Sequence, residues 1–275
     1  MRFKDQVIWI TGASAGIGEA LAMALAAEGA HLVLSARRAD ELERVKLACA
    51  AAGPGDVLTV PFDVTNETAR AWAFGQIMAK FGRVDVLINN AGVSQRSLGK
   101  DTALAVDRQV MEVNYFAAVA LTKIVLPSMI ERHSGYIVVT SSVSGRYGVW
   151  NRTAYCAAKH AVHGFFDSLR IEIFGHNIDV TTLIFGAVQT DVSKNALTSD
   201  GTPYGKADNL MQTGLQLDDV IPKVIEGLAK RRREIVVAES ASLLYLRLAR
   251  LWPSELFRRQ TKRGQEKRKR AAASI

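Results

Sequence analysis

The sequence predicts a single α/β domain in which helices cover both faces of a doubly wound parallel sheet. Short β-branched runs alternate with longer stretches of helical periodicity along most of the chain. This alternation is typical of βαβ units with right-handed crossovers. Most of the short runs are apolar throughout, which indicates strands that are buried on both faces. Their number predicts about seven strands, on periodicity alone.

The alternating runs divide into candidate strands and the candidate helices between them. The strand candidates are Val7–Thr11, His31–Ser35, Val57–Pro61, Val84–Asn89, Tyr136–Ser141, Asp179–Phe185 and Glu234–Ala238. The helix candidates are Gly16–Glu28, Asp40–Ala51, Glu67–Phe81, Ala105–His133, Thr153–Phe174 and Asp218–Lys230. Residues 1–239 therefore form the predicted domain. Within it, 186–216 has no clear period, and because so long a loop is uncommon unless it is functional, we expect it to cover the substrate.

The composition is that of an ordinary globular protein. Hydrophobic residues make up 48% and charged residues 23% of the 275 residues, which excludes a disordered or collagen-like chain. Two cysteines are too few for a disulfide framework and indicate a reducing compartment. The polar first residues do not resemble a signal peptide, so we expect a cytoplasmic protein. No spacing of histidines and cysteines matches a zinc site, and we predict no metal.

A glycine-rich turn follows the first predicted strand. The chain runs Thr11-Gly12-Ala13-Ser14-Ala15-Gly16-Ile17-Gly18 and then enters a predicted helix. Glycines permit a tight turn and a close approach of the backbone to a ligand, and the helix N-terminus attracts a pyrophosphate. In this position the turn predicts a dinucleotide site with contacts from Gly12, Ser14, Gly16, Ile17 and Gly18. A plain strand-to-helix turn is the alternative.

The end of the second strand bears on the choice of nucleotide. An acidic residue there binds the adenosine ribose of NAD, whereas an arginine accommodates the 2′-phosphate of NADP. Ala36 stands in the acidic position and Arg37 follows it, which favours NADP(H) over NAD(H). The alternative for Arg37 is a solvated charge at the start of the next helix, and for Arg38 we favour that interpretation.

Tyr155 and Lys159 lie four residues apart on a predicted helix and therefore share a face. A tyrosine with its ordinary pKa of ~10 is a poor acid or base at neutral pH. A neighbouring ammonium and a positive nicotinamide favour the phenolate and lower that pKa. Tyr155 would then exchange a proton with a carbonyl or alcohol oxygen as hydride moves. Ser142, at the end of the fifth strand, would hydrogen-bond that oxygen.

These motifs occur in an order that is specific to one family when Asp63-Val64, Asn89-Asn90-Ala91-Gly92 and Asn114 are added. Over about residues 5–240 the sequence resembles the classical short-chain dehydrogenase/reductase family. The resemblance implies a Rossmann-type fold, a nicotinamide cofactor and carbonyl–alcohol chemistry. It also implies that Lys159 holds the nicotinamide ribose and that Asn114 supports a water-mediated proton relay to this lysine.

By the same resemblance, residues after the third, fourth and sixth strands also contact the cofactor. They are Asp63, Val64, Asn89, Ala91, Gly92, Val188 and Thr190. Asp63 would meet the adenine amino group, although a strand-end turn is the alternative, and Asn90 would be mainly structural. The family commonly has Pro-Gly where Phe185 and Gly186 stand, so Phe185 either narrows the site or packs beneath the loop.

The substrate side is marked by Tyr147, Val149 and Trp150, which lie between Ser142 and Tyr155. Such walls indicate a mostly apolar pocket, and we expect a lipophilic carbonyl or alcohol substrate. We also expect a homodimer or homotetramer. The alternative to an enzyme is a non-catalytic nucleotide-sensing or scaffold protein on the same fold. The intact set of serine, tyrosine and lysine argues against that alternative.

The formal charge of +8 belongs to the C-terminal segment. Ten basic and two acidic residues lie between Tyr245 and Ile275, so the rest of the chain is formally neutral. Because no nucleic-acid-binding fold accompanies this basic run, no nucleic-acid partner is expected.

Residues 240–275 are predicted to begin with an amphipathic helix. Leu244, Leu248 and Leu251 recur at helical spacing while the arginines fall elsewhere on the wheel, and Trp252 follows. This pattern is typical of a helix lying on an anionic membrane surface. It fits equally well a helix packed on its own domain or on a sister subunit. The last dozen residues also fit a solvated, disordered end.

Overall fold

The sheet anticipated from the sequence is present, with seven parallel strands in the order β3-β2-β1-β4-β5-β6-β7. The structure, a computed structural model, describes residues 1–206 and 212–272. The strands are β1 Val7–Thr11, β2 His31–Ser35, β3 Val57–Thr59, β4 Val86–Asn89, β5 Gly135–Ser142, β6 Ile178–Phe185 and β7 Glu234–Val237. Residues 207–211 of the expected substrate loop and 273–275 of the expected tail lie outside the described residues.

Helices connect the strands and cover both sides of the sheet. They are α1 Gly16–Ala27, α2 Ala39–Ala52, α3 Glu67–Phe81, α4 Leu104–Met111, α5 Ala117–Glu131, α6 Thr153–Glu172, α7 Leu217–Ala229, α8 Ser240–Leu251 and α9 Pro253–Ala272. Two separate apolar layers result, one under α1, α2 and α7 and the other under α3, α5 and α6. The predicted fold class, a Rossmann-type sheet with helices on both faces, is confirmed.

The first strand shows how the sequence pattern produces these two layers. All of β1 is buried, and successive side chains of a strand point to opposite faces. Ile8 and Ile10 therefore pack into one layer, while Val7 and Trp9 pack into the other. Because helices cover both faces of the sheet, both sets of side chains on this strand are buried, and the strand is apolar at every position.

The strand order reverses beside β1, which pairs with both β2 and β4. The chain builds one half of the sheet outward from β1 to β3 and then returns to build the other half from β4. The crevice at such a reversal, outside the carboxyl ends of the strands, is where ligands bind in open α/β sheets.

The predicted helix Ala105–His133 is present as one uninterrupted helical run, Leu104–Glu131, with a π-helical turn inside it. It consists of α4, a π-helical turn at Glu112–Phe116, and α5. Periodicity alone could not show the extra backbone residue that such a turn inserts. By length and composition, Leu104–Glu131 is also the one described stretch that could cross a membrane, yet Leu121 and Val125 are fully buried against the sheet.

The helix α8 packs on its own domain, which is one of the alternatives that the sequence left open. Leu248 is buried against Val143, Tyr147, Ile184 and Leu256, so the stripe of leucines is divided between an inner and an outer face.

The basic run after Trp252 is the helix α9 rather than an aperiodic end. Pro253 occupies its first position, which suits a residue without an N–H. Glu255 pairs with Arg258 and Arg259 one turn later, and such pairs stabilise helices.

Candidate functional site

A cleft of about 1520 Å3 lies at the carboxyl ends of the strands. Its wall contains fifteen of the seventeen residues that the sequence analysis assigned to catalysis or to the cofactor. These are Gly12, Ser14, Gly16, Ile17, Arg37, Asp63, Val64, Ala91, Gly92, Asn114, Ser142, Tyr155, Lys159, Val188 and Thr190. The other two, Gly18 and Asn89, are not part of the wall.

The glycine turn brings backbone to the floor of the cleft. Gly12 and Gly16 have φ values of +66° and +58°, a region that side chains disfavour. A Cβ on Gly12 would lie 2.9 Å from the Cα of Ala91. Helix α1 begins at Gly16 with no side-chain cap from Ala15, so its first backbone N–H groups are available to an anion. The turn therefore has the form of a pyrophosphate cradle.

Gly18 and Asn89, outside the cleft wall, have packing contacts within the protein. A Cβ on Gly18 would lie 2.2 Å from the carbonyl oxygen of Gly12, so this glycine allows α1 to pack on the turn. Asn89 is 4% exposed, and its Nδ2 donates to Thr122 Oγ1. As the last residue of β4, Asn89 points into the layer under α5.

Asn90 takes the place at the cleft that was assigned to Asn89. Its Nδ2 donates to the carbonyl oxygens of Thr11 and Gly12 over 3.2 and 3.3 Å. Its Oδ1 accepts from Thr140 Oγ1. One amide thus joins the ends of β1, β4 and β5, which is the structural role expected for Asn90.

The outer end of the cleft is lined by Arg37, Arg38, Asp63 and Val64. Arg38 Nη2 donates to Ser14 Oγ over 3.2 Å, so this side chain lies over the glycine turn. Asp63 Oδ1 accepts from the N–H and the hydroxyl of Thr65, which forms the strand-end turn that the sequence analysis named as the alternative. Two guanidinium groups and one carboxylate therefore lie at this end.

Ser142 and Tyr155 face the inner end of the cleft. Ser142 Oγ donates to the carbonyl oxygen of Phe185 and accepts from the N–H of Ser144, both over 3.2 Å. Phe185 itself is buried among the core residues. Ser142 ends β5 and Tyr155 lies in the first turn of α6, so two separate elements place the two hydroxyl groups on one wall.

The charge environment of Tyr155 differs from the sequence expectation. Burial raises the pKa of the Tyr155 phenol, and the guanidinium of Arg152, the hydroxyl of Ser142 and the guanidinium of Arg96 oppose this rise. The expected lowering of this pKa relied on Lys159 and a positive nicotinamide together. In the protein alone, removal of the phenolate from water outweighs the neighbouring charges.

Lys159 lies one helical turn beyond Tyr155, and its Nζ is 5.7 Å from the centre of the tyrosine ring. Nζ donates to the carbonyl oxygen of Thr140 over 2.9 Å. Burial lowers the pKa of Lys159 to about 8, because an ammonium is costly in a poorly hydrated site. The lysine is therefore fixed in place, and its charge is sensitive to what occupies the cleft.

Asn114 is held by the π-helical turn. Its Nδ2 donates to the carbonyl oxygens of Val93 and Val110, each over 2.8 Å. Its Oδ1 is buried without a hydrogen-bond partner in the described part of the chain. A Cβ on Gly92 would lie 2.9 Å from that oxygen and 3.7 Å from Lys159 Nζ. The two side chains therefore converge on Gly92, in agreement with the frequent occurrence of π-helical turns at functional sites.

The far wall of the cleft is partly built by α8 and α9, which the sequence analysis did not connect with the site. Tyr147, Val149 and Trp150 line the cleft as expected. They are joined by residues of the C-terminal helices, namely Ala241, Ser242, Tyr245, Gln260, Arg263 and Gly264. The rings of Tyr147 and Tyr245 meet edge to face at 5.9 Å, and Tyr147 Oη donates to Ser242 Oγ over 3.4 Å.

Glu239 connects this wall to the turn after β6. Its Oε2 accepts from the N–H of Ala187 over 3.1 Å, and its Oε1 accepts from the hydroxyl of Ser242. The carboxylate also fills the space beside Gly186, where a Cβ would lie 2.2 Å from Oε2. No local pattern marks the contact with Ala187, since the two residues are 52 positions apart in sequence.

Comparison with known proteins decides the family. The model of the short chain dehydrogenase family matches residues 6–200. This chain belongs to the short-chain dehydrogenase/reductase family. "Dehydrogenase/reductase SDR family member 7B" of Bos taurus is 41% identical over 271 residues, which are 97% of this chain and 83% of the bovine protein. The family uses nicotinamide cofactors, and the glycine cradle and the converging polar groups of this cleft fit such a group.

Solved short-chain dehydrogenase/reductases have the same architecture but differ in nucleotide. A metagenomic short-chain oxidoreductase in complex with NADP has a TM-score of 0.72 and 29% identity, covering 87% of this chain and all of that one. A protein from Burkholderia phymatum in complex with NAD has a TM-score of 0.78 and 25% identity, covering 90% and 94%. The fold is therefore compatible with either nucleotide, and local residues of this chain must distinguish them.

Proposed function

We propose that this short-chain dehydrogenase/reductase is an NADP(H)-dependent enzyme that interconverts a lipophilic carbonyl compound and its secondary alcohol. The observation that carries the proposal is the convergence of Ser142, Tyr155, Lys159 and Asn114 on one wall of the cleft, beside the glycine cradle. We assign the dinucleotide to this domain, residues 1–239, and the cover of the substrate to 186–216.

In this proposal the nicotinamide, when bound, supplies or accepts the hydride. Tyr155 donates its phenolic proton to the substrate oxygen during reduction and accepts a proton during oxidation. Ser142 hydrogen-bonds the same oxygen and stabilises the charge that develops there. Lys159 retains further N–H bonds beyond the one given to Thr140, and these serve the nicotinamide ribose and favour the phenolate.

Asn114 completes the proposed proton route. Its Oδ1 is a buried acceptor beside Lys159 Nζ, and a buried acceptor without a partner costs free energy. A water molecule between the two groups would satisfy both and connect the lysine to the exterior. This arrangement supports the relay that the resemblance implies.

The preference for NADP(H) rests on the outer end of the cleft. Ala36 lines the cleft where an acidic residue would bind the ribose of NAD, and Arg37 is exposed at the same edge. A guanidinium binds a phosphate with two parallel hydrogen bonds. Arg38 adds positive charge at the glycine turn. These features support binding of a 2′-phosphate.

Replacement of the proposed acid tests the chemistry directly. Wild type, Tyr155→Phe and the matched control Tyr115→Phe are incubated with NADPH and a panel of lipophilic ketones and aldehydes, and the loss of NADPH absorbance is followed. Tyr115 lies outside the cleft wall and packs against Phe116 and Phe165. We expect the Tyr155 variant to lose about a thousandfold in kcat, within the range of roughly 10²–10⁴ for general acid–base catalysis, and the control to retain activity. Equal turnover by wild type and Tyr155→Phe would overturn the mechanism.

The same assay separates the enzyme from a nucleotide sensor or scaffold. A sensor would bind NADPH with a measurable Kd while showing no turnover with any carbonyl or alcohol in the panel. The retained Tyr155, Lys159 and Ser142 favour the enzyme, since a sensor needs no proton donor at this position.

We further propose that the C-terminal segment, residues 240–275, contacts an anionic membrane surface. Leu244, Leu251, Trp252 and Phe257 are exposed, and Arg247, between the first two in sequence, is exposed as well. Exposed apolar side chains beside arginines suit an interfacial helix. The protein would then be cytoplasmic with peripheral membrane contact.

We also propose that the protein forms a homodimer or homotetramer. Light scattering coupled to gel filtration would measure its oligomeric state.

Point variants of the full chain test the membrane contact. Truncation is unsuitable because Leu248 and Leu256 pack on the domain. We expect a variant with serine at Leu244, Leu251 and Trp252 to lose binding to phosphatidylcholine–phosphatidylglycerol vesicles. The control combines Ile171→Ser with Phe174→Ser, at two exposed positions in the last turn of α6 and just after it, and should bind like wild type. Equal recovery of all three proteins would reject the proposal.

A further inference from the structure

The helix that carries Tyr155 begins without a cap of its own. Arg152 precedes the first residue of α6 and provides no side-chain hydrogen bond to it. The first N–H groups of a helix need acceptors from elsewhere. Gln95 supplies one, since its Oε1 accepts from the N–H of Ala154 over 3.0 Å. Ala154 directly precedes Tyr155, so a residue far back in the chain caps the helix at this point.

The amide nitrogen of Gln95 contacts polar groups near the same end of α6. Nε2 lies within hydrogen-bond distance of the carbonyl oxygen and the hydroxyl of Ser97, of Thr102 Oγ1 and of Thr153 Oγ1, at 3.0 to 3.3 Å. The N–H of Ala154 requires an oxygen acceptor, so the hydrogen bonds also determine which atom of the Gln95 amide is the oxygen and which is the nitrogen. Gln95 is 0% exposed, and its loss would take the acceptor from the N–H of the buried Ala154.

The backbone around Gln95 is paired with the substrate loop. The N–H of Arg96 donates to the carbonyl oxygen of Leu197, and the N–H of Leu197 donates to the carbonyl oxygen of Ser94, each over 2.8 Å. Leu197 packs in an apolar cluster with Ala154 and with the partly buried Tyr155. A single residue therefore contacts the substrate loop through its backbone neighbours and the Tyr155 helix through its side chain.

We propose that Gln95 is a positioning residue that couples the segment around Leu197 to the orientation of Tyr155. This inference rests on the proposed function, because it assigns Tyr155 the proton transfer. The segment around Leu197 pairs with residues 94–96, the Gln95 amide holds the first turn of α6 in register, and the phenol is thereby held where the substrate oxygen arrives. A small displacement of a positioned acid costs a large part of its rate, so the effect appears in the chemical step rather than in cofactor binding.

Two substitutions separate the two ends of the amide. Gln95→Glu keeps an acceptor for Ala154 and removes the donors, whereas Gln95→Leu removes both. Gln76→Glu, at an exposed position on α3, is the control for the added charge. Arg152, Arg96 and Lys159 are the charged groups nearest the phenol, and a carboxylate at position 95 would add a negative charge among them.

We expect both Gln95 variants to bind NADPH within about twofold of wild type, since none of their lost contacts touches the glycine cradle. The kcat of Gln95→Leu should fall at least about tenfold. Gln95→Glu should show a smaller loss, with its pH profile for alcohol oxidation displaced to higher pH, because a nearby negative charge disfavours the phenolate. Unchanged kcat and an unchanged pH profile in both variants would overturn the proposal.

Hydrogen exchange provides a readout that is independent of activity. In Gln95→Leu we expect faster amide exchange in the peptides that cover 94–104, 153–158 and 193–204 together, while Gln95→Glu should keep 153–158 protected. Faster exchange confined to 94–104 would overturn the coupling. If the wild type shows no turnover with any substrate, the proposed function fails, and the exchange pattern alone still decides whether Gln95 joins the loop to the helix.

Discussion

Arg38 donates a hydrogen bond to the hydroxyl of Ser14 over 3.2 Å, and its Nη2 is also 3.5 Å from the Ser14 carbonyl oxygen. Arg38 is exposed, as the sequence analysis favoured, and its side chain also lies across the glycine turn. Arg37, its neighbour, is exposed at the cleft edge. Arg38 contacts the glycine turn, whereas Arg37 lies at the edge where a 2′-phosphate would bind. We therefore expect the two arginines to affect nucleotide binding differently.

Replacement of each arginine by alanine should separate the two roles. Arg37→Ala should weaken NADPH binding by about 2 kcal/mol, the value of a hydrogen bond to a charged group, and leave NADH nearly unchanged. Arg38→Ala should weaken both nucleotides to a similar extent, because it loosens the turn that holds the shared pyrophosphate. Fluorescence titration with each nucleotide measures both effects. An equal loss for NADH and NADPH in Arg37→Ala would contradict a 2′-phosphate contact.

The burial of Lys159 should make stability depend on pH. Its pKa is about 8 in the native protein and near the ordinary value of 10.5 in the unfolded chain. Between these values the unfolded chain holds more protons, so the free energy of unfolding rises with pH across this window. Below it, the native state must bury an ammonium.

Lys159→Met removes this dependence. The difference in unfolding free energy between wild type and variant should change in favour of the wild type by roughly 3 kcal/mol from pH ~8 to pH ~10.5. Urea denaturation at a series of pH values provides the measurement. A difference that stays constant over this range would show that Lys159 keeps its ordinary pKa in the native state.

Leu248 and Leu244 provide a matched pair on α8. Leu248 is 8% exposed and Leu244 is 44% exposed. Leu248→Ala should lower the free energy of unfolding by about 2–4 kcal/mol, as for other buried leucines. Leu244→Ala should change it by less than about 0.5 kcal/mol. Similar losses in the two variants, measured by urea denaturation, would mean that α8 does not hold the orientation described.

Glu239 should affect the affinity for NADPH, although this residue follows β7 and is not part of the glycine cradle. In Glu239→Ala the buried N–H of Ala187 loses its acceptor, a cost of about 1–3 kcal/mol, and the turn that leads to Val188 and Thr190 loosens. We expect the Kd for NADPH to rise roughly tenfold. Glu239→Gln keeps an oxygen for Ala187 and should stay within about threefold of wild type. If both variants bind NADPH like wild type, the role of Glu239 is limited to its contact with Ser242 of α8.

The parts of the site that are encoded by local pattern were predictable. Tyr155 and Lys159 share a helix face at a spacing of four, and Ser142 ends a strand, so their meeting at the carboxyl edge follows from the topology. Asn89 and Asn90 show what a single step along the chain changes. Asn89 ends β4 and points into the core, while Asn90, one residue later, reaches the cleft, because side chains alternate along a strand.

The remaining features depend on contacts between segments that are distant in sequence. Gln95 caps a helix 59 residues later, and Glu239 binds Ala187 52 residues earlier. No periodicity records such pairs. The helical wheel of α8 showed a stripe of leucines but not which side of the stripe meets the domain, and that orientation is set by Val143, Tyr147 and Ile184.

The far wall of the cleft has a genetic consequence. The family model ends at residue 200, yet Tyr245 and Arg263 line the cleft from α8 and α9. The proposed proton-transfer residues and the C-terminal part of the pocket are thus carried by separate stretches of coding sequence, with their boundary at Glu239. Recombination at that boundary would exchange one wall of the pocket in a single event and leave the codons for Ser142, Tyr155 and Lys159 untouched.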